Sequence, residues 1–489
     1  YPLVQYSMYG SVPIRRIKEA LLRLKAEGKL DKAKMLVLTN CTFDGHLANV
    51  KQTMEECLAI KPDLIFLWDE AWSGFAHFSP FLRPRTAMGG MKYLREMFTN
   101  DGYREHCKKA RSEVGEIDIK NPKVLDARLY PDPDKAKLRV YQTNSIHKSM
   151  SCLRQGSIIL VADQDFAAIE AQFHEAFFTH TSTSPNQQII ASIDVARRQM
   201  ELEGYELVSK AIQLSIELRK EINSHPVISR YFKALTPADL IPEQYRKSNI
   251  QDYGTPEAGF AKTTEAIDKD EFVLDPTRIT LLCGTAGFDG TQFKGLLAKD
   301  YDIQINKTSR NSVLVQININ NTRSDLAHLI QVLAAISHKI DKDLAAGGEG
   351  AKKAFDERVK SLIHDTPDLP DFSAFHDALR DNAKSQTPEG HMRAAYYLAY
   401  DAASCEHVKL FGKELDERIE KGPQLVSANF VIPYPPGFPI MVPGQIIPKE
   451  IATFMRKLDV KEIHGYVASE GLKVIKPEAL SKLARNQTR

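Results

Sequence analysis

The chain has 489 residues, 43% hydrophobic and 26% charged, with a formal net charge of +2. That length calls for two or three cores, and the near-neutral balance offers no basic surface to nucleic acid or an anionic membrane. No apolar run approaches the ~20 residues that cross a bilayer, and six scattered cysteines without a CxxC pair argue against a disulfide scaffold or a metal site and for a reducing cytoplasm.

From the N-terminus, Tyr1-Pro2-Leu3 opens no basic or apolar leader. Residues 14–29 read as an amphipathic helix, with Ile14, Ile17, Leu21, Leu22 and Leu24 recurring at helical spacing among lysines and arginines. Met35-Leu36-Val37-Leu38-Thr39 is an unbroken apolar run ending at Asn40, 47–60 is helical again, and 63–68 is a second apolar run. Unbroken runs predict strands covered on both faces, as in a parallel α/β sheet. Further strands are expected at 138–141 and 157–161. Functional groups collect just past the carboxyl ends of such strands, where Asn40, Asp69 and Lys148 fall.

Residues 90–134 are dense in charge and close with Pro131-Asp132-Pro133-Asp134. They read as an insertion, either a solvated surface excursion or a lid or contact arm. A long helix over 190–222 leads out of the first domain. Strands at 278–282 and 312–319 and a helix over 324–340 form a second α/β unit. The run 345–352 (AAGGEGAK) reads as a flexible linker, and 367–371 and 386–390 as joints. The tail carries Tyr434-Pro435-Pro436-Gly437-Phe438-Pro439, read as a rigid wall. The domains expected are 1–204, 205–385 and 386–489.

One segment stands out for its chemistry. Ser145-Ile146-His147-Lys148 follows a strand, and an earlier strand ends in Asp69-Glu70-Ala71-Trp72. A strand delivering an acid, then a strand delivering a lysine, is what a pyridoxal phosphate enzyme needs. The lysine joins the cofactor aldehyde as a Schiff base, and the acid keeps the pyridine nitrogen protonated. Each part also has a plain reading. Asp69 suits a helix N-cap and Trp72 suits a core. Ser337-His338-Lys339 resembles the lysine motif but lies inside a predicted helix. Thr181-Ser182-Thr183-Ser184-Pro185 opens a helix, either as an anion site or as a simple cap. Gly284, Gly287 and Gly290 match no phosphate fingerprint and read as a turn.

Taken in order, these segments resemble the large bacterial ornithine/lysine/arginine decarboxylases, pyridoxal phosphate enzymes of the aspartate aminotransferase-type fold. The resemblance runs through Thr39-Asn40-Cys41-Thr42-Phe43-Asp44-Gly45, Asp69-Glu70-Ala71-Trp72, Ser145-Ile146-His147-Lys148, 180–185, Asp275-Pro276-Thr277-Arg278-Ile279-Thr280 and Tyr434 to Pro439, nearly the whole chain. It implies an α/β fold: part of a large domain with a mainly parallel sheet, a smaller α/β domain, and a C-terminal α+β domain. It implies Lys148 as the Schiff-base lysine, Ser145 and His147 as contacts of the cofactor and its phosphate, and Asp69 as partner of the ring nitrogen. Ala71 lies against the ring in this reading, and Trp72 reaches its phenolic oxygen. Ser182 matches a hydroxyl that reaches the phosphate of a neighbouring subunit, so the resemblance implies a dimer with a shared site and a higher oligomer. Ile146 stands where the family usually has threonine, and 90–134 departs from the shorter members.

Family members also carry, upstream of the region matching Tyr1, a receiver-like domain, a Ser/Thr phosphate cup and an aromatic residue stacked on the ring. Those parts are expected from a separate polypeptide, or were cut away. The implied reaction is decarboxylation of a small basic amino acid, with arginine favoured over lysine or ornithine. Each turnover consumes a proton, which suits acid resistance or polyamine supply in the cytoplasm. Two alternatives stay open. One is an aminotransferase- or aldolase-type enzyme gripping the substrate carboxylate with Arg278, Arg310 or Arg323. The other is a catalytically inactive regulatory subunit.

Overall fold

A computed structural model of the chain describes every residue except 367, 369, 372, 435–438, 459–461, 488 and 489. Most of the Pro-rich stretch and part of the joint at 367–371 therefore lie outside the described residues. The rest divides into two compact units, one of Tyr1, Gly10–Leu281 and Leu314–Ser337, the other of Pro2–Tyr9, Leu282–Val313 and His338–Arg489. No described helix is long and apolar enough to cross a membrane.

The elements that position the site, in chain order, are Ile14–Ala26 (α1), Met35–Thr39 (β1), His46–Ala48 (β2), Val50–Ile60 (α2), Ile65–Asp69 (β3), Ala87–Met97 (α3), Asp101–Val114 (α4), Arg139–Asn144 (β4), Ile146–Ser149 (α5), Ile158–Asp163 (β5), Glu170–His180 (α6), Gln187–Ser224 (α7), Pro256–Lys269 (α8), Phe272–Leu274 (β6) and Arg278–Leu282 (β7). The main sheet has the order β1-β3-β4-β5. β1 and β4 both pair parallel to β3, which sets Thr39, Asp69 and Thr143 side by side. β5 runs antiparallel to β4, so the sheet is mixed. Only the single turn α5 separates β4 from β5, and a parallel return needs a longer crossover, usually a full helix.

The inner strands bury Phe66, Trp68 and Val140. On the edge strands Met35 (45% exposed), Val37 (58%), Ile159 (48%) and Val161 (36%) face outward. Covering on both faces, expected from the unbroken apolar runs, therefore fails at the edges. An apolar run marks a strand that can be buried, not one that is.

Several local expectations change for identifiable reasons. Leu47 belongs to β2, paired with Val273 of β6, and α2 starts only after Asn49, whose side chain accepts the Gln52 N–H. The hydroxyl cluster 181–184 does not cap α7; Asn186 does, accepting from Ile189 N. Residues 90–134 are packed in part: Leu94, Cys107, Val124 and Leu129 are buried, whereas Lys108, Lys109, Glu113 and Glu116 are exposed. Arg128 from this segment pairs with Glu55 and Glu56 of α2. The expected linker 345–352 is helical apart from Gly348, which takes φ +60°. Alanine and lysine support helix strongly enough to carry scattered glycines. Gly287 has φ +79° in the turn that precedes the helix Gly290–Tyr301.

In the second unit, Leu472–Ile475 lies between Cys405–Val408 and Val426–Ser427, antiparallel to both. The helices Lys413–Lys421 and Lys449–Lys457 contribute Leu415, Ile451 and Met455 to a core with Val408, Met441 and Val474.

A buried polar network fixes the strand ends of the first unit. Glu70 follows β3 and is fully buried. Its Oε1 accepts Asn40 Nδ2–H (2.9 Å) and Ala87 N–H (2.7 Å), and Oε2 has no partner among the described residues. Burial outweighs those two hydrogen bonds and pushes the Glu70 pKa up to about 8, so the group is a neutral acid at pH 7. Asn40 also donates to Arg85 O and accepts from Ala48 N, and Asn144 donates to Glu70 O. Gln142 donates to Asn144 Oδ1 and to His77 Nε2. His77 accepts that bond as a neutral ring, its pKa lowered by burial to about 4. Arg85, also buried, spends its guanidinium on the carbonyls of Ala266, Ile267, Asp270 and Glu271, closing the C-terminus of α8.

Two outcomes follow. Glu70 has a folded pKa above its ordinary value, so its stabilising share is whole below pH ~4.5 and is lost as pH rises towards 8, at up to about 1.4 kcal/mol per unit. Glu70→Gln, which cannot ionise, should remove that decline; urea melts of both proteins at pH 5 and pH 8.5 test it, and parallel declines refute a neutral Glu70. Arg85→Ala should lower unfolding free energy by roughly 3 kcal/mol in the same assay, because it strips charged donors from buried carbonyls.

Candidate active site

The register of the sheet brings the sequence-selected residues together. Asp69 is the last residue of β3 and pairs with Thr143 of β4. The chain leaves β4 at Asn144, passes Ser145 and makes the single turn α5, which carries His147 and Lys148. Acid and lysine thus stand on the ends of adjacent parallel strands. Asp69 is exposed, and among the described residues only the Ala71 N–H donates to its carboxylate, at Oδ1 (3.1 Å). It caps the turn after β3 without starting a helix. Ser145 precedes α5 without capping it through its side chain.

His147 is tied down at one nitrogen. Its Nδ1 lies 3.0 Å from Gly156 O, and its backbone N–H donates to the same oxygen at 3.2 Å. A carbonyl only accepts, so Nδ1 carries a proton.

Lys148 is half-buried, with Nζ 4.5 Å from the centroid of the Trp72 ring. Three influences act on its amine. Burial pushes the pKa down, Asp69 raises it and Arg278 pushes it down, and the net direction is down. More of the amine is neutral at a given pH than in a free lysine, as a nucleophilic lysine requires. Trp72 is itself held: Phe43 packs on it at 4.7 Å between centroids, and the Arg278 Cζ lies 5.0 Å from its ring.

Ser182 is not part of this group. It is exposed beyond the end of α6, and its Oγ accepts only the Ser184 N–H (3.1 Å) among the described residues. Two further residues join it, Glu70, which the sequence left without a role, and Arg278, which it offered only as a carboxylate grip in the aminotransferase alternative. Glu70 sits directly behind Asp69, and Arg278 lies beside Trp72. Their signals were present, a second acid at the strand end and a basic residue closing Asp275-Pro276-Thr277-Arg278, but neither spacing says which way the side chain turns.

Comparison with known proteins gives a consistent family. The model described as Orn/Lys/Arg decarboxylase, major domain, matches residues 4–98 and 121–325. The chain is 25% identical to the lysine decarboxylase LdcA of Pseudomonas aeruginosa, over 90% of this chain and 55% of that protein. It is 24% identical to the biodegradative arginine decarboxylase of Escherichia coli, over 91% of this chain and 56% of that protein. The solved structure of the E. coli constitutive lysine decarboxylase superposes with a TM-score of 0.60 at 19% identity, covering 96% of this chain and 62% of that one, a likeness of fold. The chain spans about half the length of the curated relatives it matches. With more than half of its residues under that model, it belongs to the Orn/Lys/Arg decarboxylase major-domain family.

Proposed function

We propose that the chain is the lysine-bearing part of a pyridoxal phosphate-dependent decarboxylase that converts a basic amino acid to its amine and carbon dioxide. The observation that carries this reading is the placement of Asp69 at the end of β3 and of Lys148 on the turn that follows the adjacent parallel strand β4, with the Lys148 pKa lowered. The residues fit the cofactor at two points. Lys148 offers an amine whose pKa burial lowers to an aldehyde, and Asp69 offers a carboxylate that, among the described residues, only one backbone N–H engages to a cationic ring nitrogen.

When bound, pyridoxal phosphate supplies the electron sink for the pair left behind as carbon dioxide departs. The chain's own residues do the rest. Lys148 would hold the group through its ε-amine. Asp69 would keep a proton on the ring nitrogen by opposite charge. Ala71 and Trp72 would serve the ring, and Ser145 and His147 the phosphate side. Lys148, and His147 once its Nε2 has taken up a proton, would be the two local groups able to return a proton to the substrate α-carbon.

In this reading Ser182, exposed here, serves the site of a dimer partner. The outward apolar side chains Met35, Val37, Ile159 and Val161 on the edge strands are consistent with a covering partner. The aspartate aminotransferase-like layout and the domains 1–204, 205–385 and 386–489 belong to the same proposal.

Relatives include both lysine and arginine decarboxylases, so the preference for arginine is a matter for the assay. The aminotransferase alternative would draw on Arg278, Arg310 or Arg323. Arg278 is wholly buried and committed to internal partners, and Arg323 is a surface residue paired with Glu217.

Borohydride trapping with pyridoxal phosphate followed by peptide mapping should label Lys148. Lys148→Ala should lose the label and all carbon dioxide release from arginine, lysine and ornithine. A label at another residue, or activity in the variant, defeats the assignment. Label without carbon dioxide release in the complete assembly points to the regulatory subunit.

A further inference from the structure

Two segments singled out by the sequence have no part in the chemistry above: Thr39 to Gly45 and Asp275-Pro276-Thr277-Arg278. The structure brings both to Trp72. Asp275 Oδ1 accepts from the backbone N–H and the hydroxyl of Thr277 (2.9 and 2.8 Å), which folds the segment into a tight turn. Asp275 Oδ2 is left 3.7 Å from Arg278 Nε. Arg278 is 0% exposed. Its Nη2 donates to Trp72 O at 3.1 Å, and its Cζ lies 5.0 Å from the Trp72 ring centroid. Its stem runs past Gly45, where a Cβ would lie 2.7 Å from Arg278 Cβ. Gly45 has φ +97° and its carbonyl accepts the Asp275 N–H, so the turn and the glycine loop are joined. Phe43, from the same loop, packs on Trp72.

We propose that Arg278 is a positioning residue for Lys148: oriented by Asp275 and seated over Gly45, its guanidinium holds the Trp72 main chain and indole so that the indole faces the Lys148 amine. The proposal rests on reading Lys148 and Trp72 as cofactor-holding residues, and goes beyond it by giving the Thr39–Gly45 and Asp275–Arg278 segments a task.

A buried arginine is a costly way to fill space. An apolar side chain of similar length would pack without desolvating a charge. What the arginine adds is a fork that engages a carbonyl and a ring face together, and a fixed positive charge near Lys148. The groups acting on the Lys148 charge are Asp69 from the end of β3 and Arg278 from β7. Removing Arg278 leaves Asp69 unopposed. Two effects are then separable. Loss of charge raises the pH at which Lys148 becomes reactive, whereas loss of the fork frees Trp72.

The test reads both in the full chain without cofactor, so its failure is distinct from a failure to bind pyridoxal phosphate. Lys148 reactivity is followed by trace acylation against pH, with mass spectrometry of the Lys148 peptide. Trp72 mobility is followed by acrylamide quenching in a Trp68→Phe background, where it is the sole tryptophan, because the chain has two. Arg278→Met should move the Lys148 midpoint up by roughly one unit and increase quenching about twofold. Arg278→Lys should restore most of the midpoint, keeping the charge, but leave quenching high, lacking the fork. A folded Arg278→Met protein with an unchanged midpoint and unchanged quenching overturns the proposal. Should that variant fail to fold, wild-type quenching in Arg278→Lys overturns it alone.

Discussion

A buried carboxylic acid that must stay neutral is the constraint on which the site stands. Glu70 draws Asn40 from the end of β1 and the Ala87 N–H from the start of α3, and its carbonyl receives Asn144 from the end of β4. Three strand ends meet on one residue. In water such bonds are worth little each. In a dry interior they are expensive to break, because every freed donor or acceptor stays buried. The register that sets Asp69 beside Thr143 therefore has little freedom to slip, and α5 leaves β4 at a fixed place.

Neighbouring residues divide structural and chemical work sharply. At the end of β3, Glu70 turns inward as a neutral anchor and Asp69 stays at the surface as the charged group. Alternation along the strand enforces this, since adjacent side chains leave on opposite faces. Two acids in sequence thus reach environments different enough that one is driven towards neutrality by burial. In β4 the same alternation hides Gln142 and Asn144 inside the network, and Ser145, His147 and Lys148 follow where the strand ends.

This explains what the sequence made legible. Strand ends were visible because apolar runs stop abruptly at polar residues, and the reactive positions follow those stops. Asp69 and Lys148 could be read that way without knowing the pairing. Arg278 and Glu70 could not, since their importance lies in where a side chain turns after the strand has ended. Composition was a partial guide at 345–352, where Gly348 breaks the helix with φ +60° but the residues on either side stay helical. In 90–134 Arg128 turns inward to Glu55 and Glu56, which a charge count does not reveal. The hydroxyls at 181–184 resemble a cap, but a cap depends on the backbone at a single residue, and Asn186 holds it.

Lys148 shows how these levels converge on chemistry. Its position on a one-turn helix at a strand end gives it partial burial, and burial is the largest influence lowering its pKa. A carboxylate close by would ordinarily cancel that effect and keep the amine charged. Asp69 does pull in that direction, but Arg278 pulls against it, and the net direction is down. Arg278 is fixed by Asp275 and by the room that Gly45 leaves, so the balance is set by rigid parts rather than by solvent. A lowered pKa makes the amine easier to present as a nucleophile, and the adjacent imidazole of His147 is anchored, its Nδ1–H donating to Gly156 O.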